Sequence, residues 1–409
     1  MEKLLWIGSL ESDVEFIEKS QKGMNLASAQ VSQKNLIRGI EEITGLTFDT
    51  INGSVLPPYP VYKDKNIIEK KWFHKSDGSN ISVGYKNIKL VNRITCKKAM
   101  IQAANNWIKE RYHGEELSIF VYSMRSSVMA TAYEIKKNIP EAKLYLIVTD
   151  LPQFMDLNQS KVKAFLKKID WIQIKRMQKK FDSFILYAPK MADFLKIPDD
   201  KWLLMEGSYD SSELFPVKKI RNSKKIIMYS GMIEKKYGLE LLVEAFTIIN
   251  DSNTELWITG GGSDIEYIKT CANLDPRIKF YGFLASREEV LSMQQEADIL
   301  MNMRLPSEPA SSYCFPSKLF EYMASGTLVL SFKLEGVSEE YYDYIGTIEQ
   351  ESSESIAEAI RETLRMSDYA KSNIESAARE YILSNKNLIT QSKKICSWIN
   401  LKAVGEKEN

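Results

Sequence analysis

The stretch richest in chemistry is MNMRLPSEPASSYCFPSKLFEYMASGTLVLSF, residues 301–332. An apolar strand reaches Arg304, a polar loop follows, and Pro316-Ser317 opens a short helix that Gly326 closes before the next strand. Ser317 stands where an N-cap belongs. Lys318, Leu319 and Phe320 then fall in the first turn, whose backbone N–H groups have no helical acceptor. A diphosphate accepts hydrogen bonds of that kind, and Lys318 and Arg304 add positive charge beside it. One step further in, the Glu321 carboxylate suits two adjacent sugar hydroxyls, or it simply complements the positive end of the helix dipole.

Two other loops carry glycine and charge. In MYSGMIEKKYGLELLVEAF, residues 228–246, Gly231 ends a strand, Lys235 and Lys236 lie in the loop, and Gly238 opens a helix. Lysines near helix-start amides attract phosphate; by residue type alone, an ordinary strand-to-helix turn with solvated lysines is the plainer account. In ITGGGSD, residues 258–264, three glycines centred on Gly261 follow an apolar strand. The strict G-x-G-x-x-G fingerprint and the P-loop pattern are both missing from the sequence. A triple glycine still costs chain entropy, which favours a ligand-facing role over a flexible turn.

These loops need strands to hold them. Short apolar runs alternate with helical segments throughout, which predicts a parallel α/β fold. Strands are expected at 3–8, 117–123, 143–150, 183–188 and 202–207, then at 224–231, 255–262, 278–283, 297–304 and 327–332. Residues 52–95 look irregular and show no readable chemistry. The proline and mixed basic residues of FPVKKIRNSKK, 215–225, suggest a linker. The division expected is 1–216 as a first doubly wound, Rossmann-like domain, 224–385 as a second, and 386–409 as a terminal helix packing back on the first.

Composition narrows the function. In 409 residues, 55 Lys and Arg nearly balance 54 Asp and Glu, so a protein that coats nucleic acid is excluded. A hydrophobic content of 44% excludes a mostly disordered chain. Four well-separated cysteines and two lone histidines, His74 and His113, argue against a zinc site or a disulfide framework, and so for the reducing cytosol. No signal sequence or 18-residue apolar span is seen. Residues 161–180 hold eight Lys or Arg against one Asp, and Phe165, Leu166, Ile169, Ile172 and Met177 can share a face. Such a helix either lies on anionic lipid or buries its stripe in its own domain, the commoner use.

The segment Tyr313-Cys314-Phe315-Pro316-Ser317-Lys318-Leu319-Phe320-Glu321-Tyr322-Met323-Ala324-Ser325-Gly326, preceded by Leu300-Met301-Asn302-Met303-Arg304-Leu305-Pro306, resembles the retaining GT-B glycosyltransferases (family 4-like) that build bacterial polysaccharides. YSGMIEKKYGLELLVEAF and EADILMN resemble further parts of that family, and DLPQFM, APKM and MEGSYD look like counterparts in the first half. The likeness covers most of 117–330. It implies a GT-B fold, two doubly wound domains facing a central cleft, with the acceptor on the first and a nucleotide sugar, a UDP-sugar, on the second.

The resemblance also assigns roles. Glu321 would hold the nucleotide ribose; Lys318 and the amides around Ser317 and Leu319 the diphosphate; the loop with Gly231, Lys235 and Lys236 the same phosphates; Phe283 lies where main-chain atoms meet the base. Tyr313 and Met232 stand where many relatives have a glutamate and an arginine, so Arg304 and Lys318 are the expected replacements for that charge. Asp150 falls where relatives often have a catalytic-site histidine; it positions donor or acceptor, or merely caps the turn in TDLP. The chain has no DxD triplet, which fits a metal-independent reaction without a cofactor. The expected partners are a nucleotide sugar and a glycan or lipid-linked oligosaccharide acceptor, with peripheral membrane contact through 161–180 and no nucleic acid. The expected location is the cytoplasm, at the inner face of the membrane. The residues leave open a sugar-nucleotide epimerase of the same shape and a non-catalytic partner of another transferase.

Overall fold

A strand whose two faces are both covered by helices reads as a continuous apolar run, and such runs become the sheet centres. The structure, a computed structural model, describes residues 2–22, 27–154, 161–211, 223–284 and 286–402. The chain gathers into two units: Met1–Tyr187 with Met191–Ser208 and Leu388–Asn409, and Ala188–Lys190 with Tyr209–Asn387. Most of the expected linker lies outside the described residues. The second unit starts upstream of it at Tyr209, whose amide donates to the Lys386 carbonyl at 2.8 Å.

The first unit contributes β1 (Glu2–Gly8), β2 (Phe48–Asn52), β3 (Asn66–Ile67), β4 (Lys70–Trp72), β5 (Asn80–Ser82), β6 (Tyr85–Lys86), β7 (Glu116–Tyr122), β8 (Lys143–Val148), β9 (Ser183–Leu186) and β10 (Trp202–Leu204). Its sheet runs β10-β9-β8-β7-β1-β2-β5-β4, parallel except for the antiparallel pairing of β4 with β5; β3 and β6 form a separate antiparallel ribbon. The winding reverses between β1 and β7. Beneath that point the buried Trp6 ring stacks on Tyr122 at 5.8 Å and meets Phe48 edge-on at 5.8 Å.

Part of the stretch thought irregular is sheet, since β4, β5 and β6 lie within it. The neighbouring strand β2, FDTIN, has every residue buried although three are polar. Asp49 is held there by Trp107 Nε1 at 2.8 Å, the Ser79 amide at 2.8 Å, Arg111 at 3.1 Å and Lys3 at 3.2 Å. A buried carboxylate is tolerated when it is paired and fully hydrogen-bonded, and these partners come from far along the chain.

The basic helix Lys161–Gln178 buries a different side from the one expected. Ile174 and Gln178 point inward, Trp171 is half-buried with Lys175 Nζ 5.4 Å from its ring centre, and Ile169 and Ile172 are exposed. The Phe165 and Leu166 side chains lie outside what the structure describes. Among the described residues no helix is long and apolar enough to cross a membrane. The helix Leu388–Trp398 belongs to the first unit and packs on Ala27–Thr44, where Gly39 leaves room for Ser392 and the Leu388 carbonyl.

The second unit has six parallel strands: β11 (Lys225–Met232), β12 (Thr254–Gly261), β13 (Ile278–Gly282), β14 (Ile299–Asn302), β15 (Leu328–Phe332) and β16 (Gly346–Ile348). They stand in the order β13-β12-β11-β14-β15-β16, so the winding reverses between β11 and β14. Ligands of open parallel sheets bind outside the carboxyl ends of the strands at such a reversal.

Candidate active site

The carboxyl end of β11 and the loop after β14 are where the candidate residues of the second unit assemble. Gly231, near the end of β11, faces the start of the helix Lys318–Ser325; a β-carbon at Gly231 would run into Lys318 Nζ and the Tyr229 hydroxyl. The glycine is thus the space through which the lysine reaches the strand end. Lys318 Nζ lies 5.7 Å from the Tyr229 ring centre. Burial pulls the Lys318 ammonium down to about 8, and the attraction of Glu321 only partly offsets it.

Glu321 lies one turn along the same helix, and its Oε1 accepts a hydrogen bond from Gln294 Nε2 at 2.6 Å. Gln294 is fully buried on the helix Arg287–Glu296, and the same Nε2 lies 3.1 Å from Ser230 Oγ on β11. Tyr322 OH lies 3.1 Å from the Ser230 amide nitrogen, a donor to it, and donates to the Ser230 carbonyl at 3.0 Å. Strand end, helix start and carboxylate are therefore tied into one polar network. Sequence reading missed Gln294: in LSMQQEAD nothing sets it apart from the exposed polar residues of an amphipathic helix. Gln294→Leu is expected to leave the Glu321 carboxylate without that donor and to cost about 1–3 kcal/mol of stability. Urea denaturation checks this, and an unchanged midpoint would count against a role in fixing the network.

The other expected residues are placed unequally. Ser317 is exposed, with helical φ −53° and ψ −22°, and its side chain makes no cap bond, contrary to its expected N-cap role. A residue already turned into the helix cannot aim its hydroxyl back at the following amides. Leu319 is a core residue whose amide donates to the Pro316 carbonyl at 2.9 Å, and the Phe320 amide donates to Ser317 O at 3.3 Å. The first turn is wound tightly enough that these two amides are already engaged, so Leu319 N–H is not a waiting donor.

Lys235 and Lys236 form a single 3₁₀ turn, Lys235–Tyr237. Each carries an ion pair, Lys235 with Glu240 at 3.2 Å and Lys236 with Glu234 at 2.7 Å. Arg304 Nη1 lies 3.3 Å from Cys314 Sγ, and its charge is felt at Lys236. Phe283 follows β13 with 80% of its surface exposed. Asp150 is in the first unit, just past β8, where its charge acts on the phenols of Tyr122 and Tyr187.

The three glycines separate by role. Gly260 pairs with Gly231 across β12 and β11 and has φ +140°; a β-carbon there would land on the Gly231 carbonyl oxygen. One at Gly262 would strike the Ile233 carbonyl, whereas one at Gly261 meets nothing within 4 Å. Two of the glycines therefore serve strand packing, and only Gly261 faces open space. Among the described residues no cluster of three or more His, Cys, Asp or Glu side chains is arranged to hold a metal ion.

Residues 210–380 match the family described as Glycosyl transferases group 1. A search of curated protein sequences finds no match. Among solved structures the chain is similar to sucrose-phosphate synthase from Thermosynechococcus elongatus (13% identity, 97% of this chain and 98% of that one, TM-score 0.70). It is also similar to a glycosyltransferase from Rickettsia africae (15% identity, 98% and 100%, TM-score 0.65), and to Anabaena HepE in complex with UDP (12% identity, 97% and 99%, TM-score 0.62). The fold is GT-B, with two Rossmann-like domains.

Proposed function

We propose that this chain is a glycosyltransferase, a reading supported by the family match over residues 210–380, and that it moves a sugar from a nucleotide-sugar donor, a UDP-sugar, to a glycan or lipid-linked oligosaccharide acceptor. The reaction would retain anomeric configuration and need no metal, in the assembly of a capsule or exopolysaccharide. The observation that carries the donor reading is the placing of Lys318 against Gly231 at the reversal of the second sheet, with Glu321 fixed beside it.

In this reading the Lys318 ammonium and the amides at Ser317 and Lys318 hold the diphosphate, with Arg304 and the Lys235–Tyr237 turn nearby. As the glycosidic bond breaks, negative charge grows on the leaving diphosphate. A fixed cation in a desolvated place stabilises that charge more than it would in water. Glu321 accepts from the ribose hydroxyls, while Gly261 and Phe283 bound the nucleotide. Asp150, on the first unit, would position the acceptor hydroxyl or the transferred sugar.

The cytoplasm is the proposed location, with the helix Lys161–Gln178 touching the membrane's inner face; its exposed Ile169 and Ile172 among lysines support that contact. The test of the donor reading is a panel of nucleotide sugars screened by thermal unfolding. At ~100 times its dissociation constant the true donor adds about 2.7 kcal/mol of stability. A flat response across all uridine and guanosine diphosphate sugars would defeat the proposal.

A further inference from the structure

Arg125 follows β7 almost directly, at the carboxyl edge of the strand where the first unit's sheet reverses its winding. Connections leave that point toward opposite faces, so the strand ends border a crevice. The guanidinium Nε donates to Ser123 Oγ at 2.9 Å. Its Nη2 is buried and has no acceptor among the described residues.

The titratable groups acting on Arg125 are Tyr85, Cys96 and Tyr122. Burial raises both phenols and pushes the Cys96 thiol up to about 11, so all three are neutral at pH 7 and none balances the charge. No carboxylate is among the groups acting on it, and two carboxylates of the first unit are engaged elsewhere. Glu11 receives Lys19 Nζ at 2.6 Å, and Glu15 accepts from Ser82 Oγ at 3.2 Å. A guanidinium cannot escape burial by losing its proton, so a buried one without an anion is destabilising unless something negative completes it. The residue as a whole is half-buried, while Nη2 itself is covered. Ser123 holds φ +72°, a conformation non-glycine residues keep only where their surroundings enforce it, often at binding sites.

We propose that Arg125 and the Ser123 hydroxyl form an anion subsite on the first unit, which takes a phosphate or carboxylate group of the acceptor. Assigning that anion to an acceptor rests on the transferase reading; the subsite itself rests on the first unit alone. The guanidinium would turn its unfilled fork edge to two oxygens of the anion, and the serine would donate its own proton to the same group.

The experiment titrates the full chain, already saturated with UDP to fill any phosphate cradle in the second unit. One arm uses inorganic phosphate and the other acetate, with wild type, Arg125→Lys and Arg125→Met. Wild type is expected to bind at least one anion, Arg125→Met to lose at least tenfold in affinity, and Arg125→Lys to fall between because it keeps charge but not the fork. Should the methionine variant fail to fold, the partial loss in Arg125→Lys carries the expectation. Binding of phosphate alone assigns a phosphorylated acceptor; binding of acetate assigns a carboxylate-bearing one. Equal affinities in all three proteins, or no binding by wild type, would overturn the subsite. UDP affinity, measured first, reports on the transferase reading separately: a chain that binds anions through Arg125 but not UDP keeps the subsite and loses its acceptor meaning.

Discussion

Lys318→Ala is expected to lower kcat/KM for the nucleotide sugar roughly 10²–10³-fold, the usual effect of removing one fixed donor from a place where negative charge develops. The same lysine should write its titration into the pH profile. With a pKa of about 8 in the free protein, it is mostly ammonium at pH 7 and mostly neutral amine at pH 9. A diphosphate binds the ammonium better, so binding raises the pKa and takes up protons near pH 8. kcat/KM should therefore fall as pH rises past about 8, and UDP should bind more weakly at pH 9 than at pH 7. Calorimetry of UDP binding in two buffers of different ionisation heat reads the proton uptake directly. Lys318→Met should abolish both the uptake and this part of the pH dependence. A wild-type profile flat from pH 7 to 9 would remove Lys318 from the diphosphate.

Gly260→Ala is expected to produce the largest loss of stability, roughly 3 kcal/mol or more, from a left-handed φ and a backbone clash combined. Its new methyl would meet the Gly231 carbonyl, a backbone atom that no rotamer change can move aside. Gly261→Ala, one residue on, points into open space and should leave the urea midpoint within about 0.5 kcal/mol of wild type. If Gly261 bounds the donor, that variant should raise the KM for the nucleotide sugar instead. Urea denaturation of the two variants side by side checks the contrast. Equal midpoints would mean that the approach of β12 to β11 is looser than the structure has it.

The second unit was legible because its site residues sit at the ends of uninterrupted apolar runs. β11 and β14 announce themselves as IIMY and ILMN, and the lysine-to-glutamate spacing of the following helix puts Lys318 and Glu321 on adjoining turns. What sequence could not show was which atoms are already taken. Ser317 reads as a cap, yet its backbone is helical, and the Leu319 amide is engaged by Pro316. The triple glycine suggested a ligand, while two of its members answer the crowding of neighbouring strands, a demand visible only once Gly231 faces Gly260. In the first unit the polar strand β2 escaped notice because the partners that make Asp49 tolerable, Trp107 and Arg111, lie about sixty residues away. Arg125 escaped for the opposite reason: its meaning comes from a partner it lacks, and SMRSS looks like any surface turn.

The helix Leu388–Trp398 has a consequence for biogenesis. The second unit is one nearly unbroken stretch, whereas the first is completed by residues that follow it. On the ribosome, at about 5–20 residues per second, the earliest part of the chain waits for the whole of Tyr209–Asn387 to emerge before Ile395 and Cys396 can close its core. The later-made unit is thus free to mature first, and until then the Ala27–Thr44 helix offers a greasy, uncovered side to chaperones.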